Sequence, residues 1–237
     1  MKPWAILPVK EMAGAKQRLA PLLSPEERIG LMQMMLRDVL AALSTAQGLA
    51  GIALVTLDPW AEPLAQEHGA RIITEGAREG HTGAVTAAAA VLQAEGVASI
   101  LTMPGDIPAV KTPEIEALIA AASAAPAFII APAHDEQGSN AILMSPPNAV
   151  RLRFGEDSYF PHLATARAAG IAPQTLHLPG IAMDIDHPAD FARFASIPEA
   201  KSTQTLLWLQ QNGILTRLGE AGAARQPGQG VPVARRS

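Results

Sequence analysis

The order of structural signals near the start of the chain decides the fold. Residues 4–57 read WAILPVKEMAGAKQRLAPLLSPEERIGLMQMMLRDVLAALSTAQGLAGIALVTL. The apolar run at 4–7 ends at a proline and predicts a buried strand. Serine, proline and two glutamates at 24–27 predict a capped helix start. A second apolar run at 52–57 predicts another strand, and strand–helix–strand order is typical of a parallel sheet.

The same alternation continues along the chain. We predict further strands at 71–74, 99–103, 127–131, 141–144 and 175–178, and further helices at 63–68, 80–94, 158–169, 203–211 and from 112 onward. This order predicts a single-domain α/β fold, with a mostly parallel mixed sheet flanked by helices. We assign residues 1–212 to that domain. Residues 213–237 are predicted to be a mobile tail, because Gly, Ala, Pro and Arg dominate their latter part without periodicity.

Composition excludes several classes of protein. Hydrophobic residues make up 49% and charged residues 17% of the 237 positions, which is typical of a globular chain. The formal net charge of -4 argues against a nucleic-acid partner. There is no cysteine, which excludes disulfides and thiolate chemistry. The most apolar stretch, near 117–131, is interrupted by Pro126 and is too short for a membrane span, so we expect a cytoplasmic protein.

Three cations follow the first predicted strand. Lys10, Lys16 and Arg18 lie in a glycine-containing loop, as a triphosphate site requires. The alternative is a solvated basic loop. Neither the Walker pattern nor the dinucleotide fingerprint is present, so the loop is not one of those phosphate-binding classes.

Three aspartates suggest a metal site. Asp106 follows a predicted strand within a Pro/Gly-flanked turn, and Asp184 and Asp186 are two residues apart on a predicted extended segment, on one face. Oxygen ligands that share a site with phosphates suit magnesium. Alternatively, Asp106 only makes a turn and Asp186 caps the next helix.

A further cluster could receive an anion. Gly155 would allow close approach to the backbone, and Ser158 lies where a helix is predicted to begin. Serine is also an ordinary N-cap residue, so a purely structural role is the alternative. Of the six histidines, His81 lies near the predicted nucleotide site. The others are interpreted as surface or capping residues.

At these clusters the sequence resembles the CofC-type guanylyltransferases of deazaflavin coenzyme biosynthesis. The resemblance rests on six stretches that occur in family order, at residues 6–10 (ILPVK), 15–19 (AKQRL), 104–108 (PGDIP), 138–143 (GSNAIL), 154–158 (FGEDS) and 184–188 (DIDHP). Together they extend over about residues 1 to 212. Members of this family activate 2-phospho-L-lactate, phosphoenolpyruvate or 3-phospho-D-glycerate with GTP.

The resemblance implies a glycosyltransferase-A-like nucleotidyltransferase fold and a GMP transfer that releases pyrophosphate. It implies magnesium at Asp106, Asp184 and Asp186, and the phosphorylated acid at Asn140, Gly155 and Ser158. Where relatives usually read Gly-x-Asn-x-Ala-Leu near the nucleotide, residues 80–85 read GHTGAV, with Thr82 at the asparagine position. The acid's phosphate would be the nucleophile and would need no general base, while Lys16 and Arg18 would stabilise charge on pyrophosphate.

Three other functions remain open from the residues. A glycosyltransferase also uses an Asp-x-Asp metal motif, but that motif normally follows a mid-chain strand, where this chain has the single Asp106. A molybdenum-cofactor-type nucleotidyltransferase is a nearer alternative. A non-catalytic GTP-binding regulator would bind the nucleotide without releasing pyrophosphate.

Overall fold

A seven-stranded sheet forms the centre of the computed structural model, which describes residues 2–11, 14, 16–155 and 157–224. The strands are β1 Trp4–Pro8, β2 Gly51–Val55, β3 Arg71–Ile73, β4 Ile100–Thr102, β5 Ala127–Pro132, β6 Ser139–Ser145 and β7 Gln174–Thr175. The helices are α1 Pro25–Thr45, α2 Ala61–Glu67, α3 Gly80–Ala94, α4 Thr112–Ala121, α5 Tyr159–Ala168, α6 Pro188–Ser196, α7 Gln204–Gln211 and α8 Ile214–Ala224. The 3₁₀ turns Gln17–Leu19 and Pro198–Ser202 are also present.

The strand order is β3-β2-β1-β4-β6-β5-β7. Pairing is parallel in the β1–β2, β2–β3, β1–β4 and β5–β7 pairs. Among the described strands, β6 alone runs antiparallel to its two neighbours, β4 and β5. The predicted α/β fold with a mostly parallel mixed sheet is confirmed. The chain leaves β1 toward β2 and β3 on one side and returns to β4 on the other, so a topological switch point lies between β1 and β4.

Both faces of the sheet are covered. Alternate residues of β1 point to opposite faces, so Leu7 packs with α1, α2 and α4 whereas Ile6 packs with α3 and α5. A third apolar cluster joins the first half of α1 to α6, α7 and α8 and includes Met183 and Ile185. This third cluster fixes the segment that carries Asp184 and Asp186.

The start of α1 shows how local signals position an element. The Ser24 hydroxyl accepts a hydrogen bond from the Glu27 amide (3.2 Å), and the Glu27 carboxylate accepts one from the Ser24 amide (2.9 Å). Pro25 occupies the first turn, where its missing N–H costs nothing. The helix start predicted from residues 24–27 is confirmed.

The predicted tail is partly wrong. Residues 214–224 form α8, and the Ile214 side chain is fully buried in the third cluster. Arg217 also forms an ion pair with Glu27 of α1 at 2.6 Å. The folded domain therefore continues past residue 212, and residues 225–237, with their three arginines, lie outside the described part of the chain. None of the described helices combines the length and apolarity needed to cross a membrane.

Candidate active site

A cleft of about 960 Å³ opens at the carboxyl ends of β1, β2 and β4. The amino end of β6 reaches the same edge because β6 runs antiparallel to β4. Crevices at such a switch point are where open α/β sheets bind ligands. All ten residues singled out from the sequence line this cleft: Lys10, Lys16, Arg18, Thr82, Asp106, Asn140, Gly155, Ser158, Asp184 and Asp186.

Lys16 joins the two sides of the switch point. Its Nζ contacts Asp106 Oδ2 at 2.5 Å and also forms an ion pair with Asp186 Oδ1. Only 7% of the Lys16 side chain is exposed. Burial alone would lower the pKa of Lys16, but the two ion pairs outweigh it and raise the pKa, so the ammonium remains charged.

The backbone of Lys16 is left-handed, with φ 52° and ψ 44°. This conformation is uncommon for a residue with a Cβ, and such outliers are frequent at functional sites. It immediately precedes the 3₁₀ turn that carries Arg18. The Arg18 guanidinium reaches the ring of His187, with 3.4 Å between Nη1 and Nε2. Lys10 is exposed at the mouth of the same cleft.

Asp184 and Asp186 face the cleft from an irregular segment rather than a strand. Their neighbours Met183 and Ile185 are buried in the third cluster, so the two carboxylates project together, as predicted. The Ile185 amide donates to the Asp106 carbonyl oxygen at 3.1 Å, which ties this segment to the end of β4. Asp106 is thereby held beside the segment that carries Asp184 and Asp186.

The pKa values of the two neighbouring aspartates move apart. Burial and the nearby charges of Asp106 and Asp186 raise the pKa of Asp184 to about 6, although a hydrogen bond from Asn140 opposes the shift. Burial would raise the pKa of Asp186 too, but the positive charges of Lys16 and Arg18 lower it. One carboxyl is therefore held strictly ionised while the other is destabilised in its charged form.

Asn140 connects β6 with the aspartate segment. Its amide nitrogen donates to the Ile181 carbonyl oxygen at 2.9 Å and to Asp184 Oδ1 at 3.1 Å. Both amide hydrogens are used within the protein, so a ligand would meet the carboxamide oxygen. Asn140 therefore orients Asp184, and its contact with the acid stays a prediction.

Ser158 occupies the N-cap position of α5, but its side chain does not make the expected capping bond. The hydroxyl instead donates to the Ser139 hydroxyl at 3.2 Å. The purely structural alternative, in which Ser158 caps the helix, is therefore wrong for the side chain. Gly155 lies beside it with φ 146°, a conformation that favours glycine, and a Cβ there would meet nothing within 4 Å.

The amino terminus of α3 borders the cleft beside the sheet. The Thr82 hydroxyl accepts a hydrogen bond from the Phe154 amide at 3.0 Å and so anchors the loop that contains Gly155. The ring of His81 packs against Phe154, with 4.4 Å between centroids. Burial, reinforced by the charge of Lys10 and opposed by Asp106, lowers the pKa of His81 to about 4. His81 is thus a neutral group in the cleft.

Residues 3–225 match the family described as guanylyl transferase CofC like. The chain belongs to this family. A phosphoenolpyruvate guanylyltransferase from Conexibacter woesei is 34% identical over 191 residues, which are 80% of this chain and 86% of that protein. One from Rubrobacter xylanophilus is 35% identical over 196 residues, covering 81% and 93%. A 2-phospho-L-lactate guanylyltransferase from Methanothermobacter thermautotrophicus is 34% identical over 190 residues, covering 80% and 82%.

Solved structures extend the likeness of fold to other nucleotidyltransferases. A structure described as a nucleotide-diphospho-sugar transferase from Desulfovibrio desulfuricans has a TM-score of 0.73 at 20% identity, covering 93% of this chain and 98% of that one. A CMP-2-keto-3-deoxy-manno-octonic acid synthetase, complexed with CTP, has a TM-score of 0.56 at 16% identity, covering 89% and 100%. At such identities the likeness concerns the fold alone.

The sequence interpretation assigned no functional role to three residues that build the site. Ser139, although part of the quoted stretch 138–143, lines the cleft as a buried hydroxyl. His162 was interpreted as a surface or capping residue, but only 1% of it is exposed. The Asp190 carboxylate accepts hydrogen bonds from the amides of Asp186 and His187. The spacing of Ser158 and His162, one helical turn apart, is the signal that could have identified His162.

Within the described part of the chain, no three histidine, aspartate or glutamate side chains converge closely enough to form a metal site by themselves. The Lys16 ammonium lies between Asp106 and Asp186 instead. A cation at this position therefore already balances part of the carboxylate charge. The magnesium assignment stays a prediction.

Proposed function

We propose that this chain transfers GMP from GTP to the phosphate of a small phosphorylated acid in the cytoplasm, releasing pyrophosphate, as a step of deazaflavin coenzyme biosynthesis. The observation that carries the proposal is the buried Lys16 ammonium held between Asp106 and Asp186 at the switch point of a CofC-like chain. The curated relatives with one-third identity include enzymes for phosphoenolpyruvate and for 2-phospho-L-lactate. Phosphoenolpyruvate is our first choice of acid, and 3-phospho-D-glycerate is the third candidate.

The chain's own residues contribute positioning and charge neutralisation. The acid's phosphate oxygen is already ionised near neutral pH and attacks the α-phosphorus of GTP, so no general base is required. Lys16 and Arg18 neutralise charge that develops on the departing pyrophosphate, and Lys10 contributes at the mouth of the cleft. Because Lys16 keeps its proton, it acts as a fixed positive charge and not as a base.

We propose magnesium as the metal, held by Asp106, Asp184 and Asp186 together with substrate phosphates. The residues fit a divalent cation in one respect beyond their chemistry. Burial is the main cause of the raised pKa of Asp184, and the charges of Asp106 and Asp186 add to it; a divalent cation would relieve that charge repulsion. When bound, magnesium would neutralise the phosphates of the nucleotide. Asn140 then holds the Asp184 carboxylate in the orientation it already has.

We propose that the acid binds between β6 and the start of α5. Asn140, Ser158 and the backbone at Gly155 would surround it. In the first turn of α5, the Tyr159 amide already donates to the Gln137 carbonyl oxygen and Pro161 has no N–H, so hydroxyl groups would be the main donors at this end of the helix. The nucleotide would bind on the other side of the cleft. It would contact the start of α3, at Thr82, and the loop that carries Lys10 and Arg18. The two substrates would then meet beside Lys16.

The test is a matrix of four nucleoside triphosphates against the three phosphorylated acids, with pyrophosphate release as the readout. We expect release with GTP and phosphoenolpyruvate, and none when either substrate is omitted. Chelation of the metal should abolish release, and magnesium should restore it. Release with no combination, or transfer from a nucleotide sugar instead, contradicts the proposal.

A further inference from the structure

A buried chain of hydrogen bonds lies behind the acid side of the cleft. The His162 ring contacts the Ser139 hydroxyl, with 2.9 Å between Nδ1 and Oγ. The Ser139 hydroxyl in turn contacts the Ser158 hydroxyl at 3.2 Å. Both serines line the cleft, whereas His162 does not and is 1% exposed. The histidine therefore does not contact a ligand itself, and the two hydroxyls connect it to the cleft.

A backbone amide fixes the tautomer of His162. The Arg153 N–H points at the other ring nitrogen, Nε2, with 2.9 Å between the nitrogens. A backbone N–H can only donate, so Nε2 must be an unprotonated acceptor. The ring proton is consequently on Nδ1, which donates to Ser139.

The direction of that bond determines how many hydroxyl protons are left for a ligand. Ser139 and Ser158 have two hydroxyl protons between them, and their mutual hydrogen bond uses one. A histidine with an unprotonated Nδ1 would accept the other. Because Nδ1 donates instead, one hydroxyl proton remains, and no other group among the described residues accepts it.

We propose that His162 is a positioning residue that keeps one hydroxyl proton of the Ser139–Ser158 pair directed at an anionic oxygen of the acid substrate. This inference rests on the proposed function, since it takes the acid to bind at these serines. Hydrogen bonds from a neutral donor to an anion are among the stronger ones in proteins. The bond is prepared before the acid arrives, because both lone-pair directions of Ser139 are already engaged.

Two further observations fit this role. The edge of the Phe154 ring contacts His162, with 5.3 Å between centroids, so the imidazole is held in one plane beside the loop that contains Gly155. Burial lowers the pKa of His162 to about 4, so the ring stays neutral at the pH where a phosphate is ionised. A protonated ring would place an N–H against the Arg153 amide.

Two substitutions separate the two ring nitrogens. His162→Asn keeps an N–H near the Nδ1 position and loses the acceptor for the Arg153 amide. His162→Gln keeps an acceptor near Nε2 and loses the donor to Ser139. We expect His162→Gln to raise the KM for phosphoenolpyruvate about tenfold or more, and His162→Asn to raise it by less than about threefold. The KM for GTP should stay near the parent value in both, and the exposed His177→Gln is the matched control.

The role of Ser139 is tested by combining variants. Once Ser139→Ala is present, adding His162→Gln should not raise the acid KM further, because the group it acts through is gone. Effects that multiply in the double variant overturn the proposal. A His162→Gln variant with the parent KM for the acid also overturns it. The same holds if the acid KM rises equally in both His162 variants and the rise parallels a lower melting temperature.

Calorimetric binding of phosphoenolpyruvate without GTP, on the same proteins, separates this inference from the proposed function. A parent that binds the acid but releases no pyrophosphate contradicts the function alone, and the order of Kd among the variants then tests His162. A parent that binds none of the three acids and releases no pyrophosphate with any of them overturns both.

Discussion

The Lys16 ammonium forms ion pairs with two carboxylates of the cleft, so either carboxylate can be removed while the other remains. Asp106→Asn or Asp186→Asn leaves the buried ammonium with one remaining partner, and the chain should stay folded. Turnover should fall by about 100-fold or more, because a charge that organises the phosphates is lost. Pyrophosphate release beside a thermal melt measures both effects.

The matched control for these variants is Asp135→Asn. Asp135 lines the same cleft and accepts a hydrogen bond from the Gln137 amide, which asparagine can also accept. It should keep nearly parental turnover. Near-parental turnover of both Asp106→Asn and Asp186→Asn at saturating magnesium would contradict the assignment of these carboxylates.

Arg18 is predicted to act through the shape of its guanidinium and not only through its charge. A planar fork binds phosphate in a bidentate manner that an ammonium cannot reproduce. We expect Arg18→Lys to lower kcat/KM for GTP by about tenfold or more. Arg37→Lys, which alters an exposed ion pair with Glu67 on α1 and α2, is the control. Equal kcat/KM values for Arg18→Lys and the parent would mean that Arg18 acts only as a point charge.

Buried His162 should also make stability depend on pH. Its pKa is about 4 when folded and near 6.5 when unfolded, so the unfolded chain binds the proton first on acidification. The stabilisation is present above pH 6.5 and is lost as the pH falls toward 4, by up to about 3 kcal/mol. Asp184 titrates in the opposite sense in this window. The informative quantity is therefore the difference in unfolding free energy between the parent and His162→Asn, which should shrink on acidification; a pH-independent difference contradicts the prediction.

At the scale of elements, Glu114 of α4 holds the loop between β7 and α6 in place. The Gly180 amide donates to Glu114 Oε1 at 2.8 Å. A Cβ on Gly180 would lie 2.4 Å from the Ala109 carbonyl oxygen and 2.4 Å from Glu114 Oε2. Gly180→Ala should therefore destabilise the fold by about 1–3 kcal/mol. It should also lower turnover, because the same loop leads into Asp184.

Gly219→Ala is the comparison for that variant. Gly219 is exposed on α8, where a Cβ would meet nothing within 4 Å. Alanine is the better helix former, so we expect a gain of up to about 1 kcal/mol. Denaturant titration of both variants gives the two free energies, and a Gly180→Ala variant as stable as the parent would refute the packing argument.

Elements with local signals were predictable from the sequence, and those that depend on distant partners were not. The start of α1 was found because Ser24 and Glu27 cap each other within four residues. By contrast, the sequence predicts a tail where α8 forms, because the contact that holds this helix joins Arg217 to Glu27, 190 residues away. The positions of Lys10 and Asp106 followed from the rule for the carboxyl ends of strands, here β1 and β4. The burial of His162 could not be predicted from the sequence, because its partners lie on β6 and in the loop before α5.

At the scale of the whole molecule, α8 closes the third apolar cluster against α1, α6 and α7. Ile214→Ala should lose about 2–4 kcal/mol, because a fully buried side chain leaves a cavity. This corresponds to a fall in melting temperature of several degrees for a domain of this size. Leu207→Ala on α7 is the control, since Leu207 is 53% exposed. Equal melting temperatures for the two variants would mean that α8 contributes little to the fold.

The ion pairs of Lys16 join segments that are 90 and 170 residues apart. During synthesis, the loop after β1 emerges first, and its partner Asp186 emerges only when most of the chain has been made. A nascent chain that ends before residue 184 holds Lys16 and Asp106 but not the last two carboxylates. Substrate binding should therefore begin late in translation, and it should then stabilise the folded chain by about 2.7 kcal/mol at a hundred times Kd. The substrates should therefore bind the completed polypeptide and favour its folded state over unfolded or truncated forms.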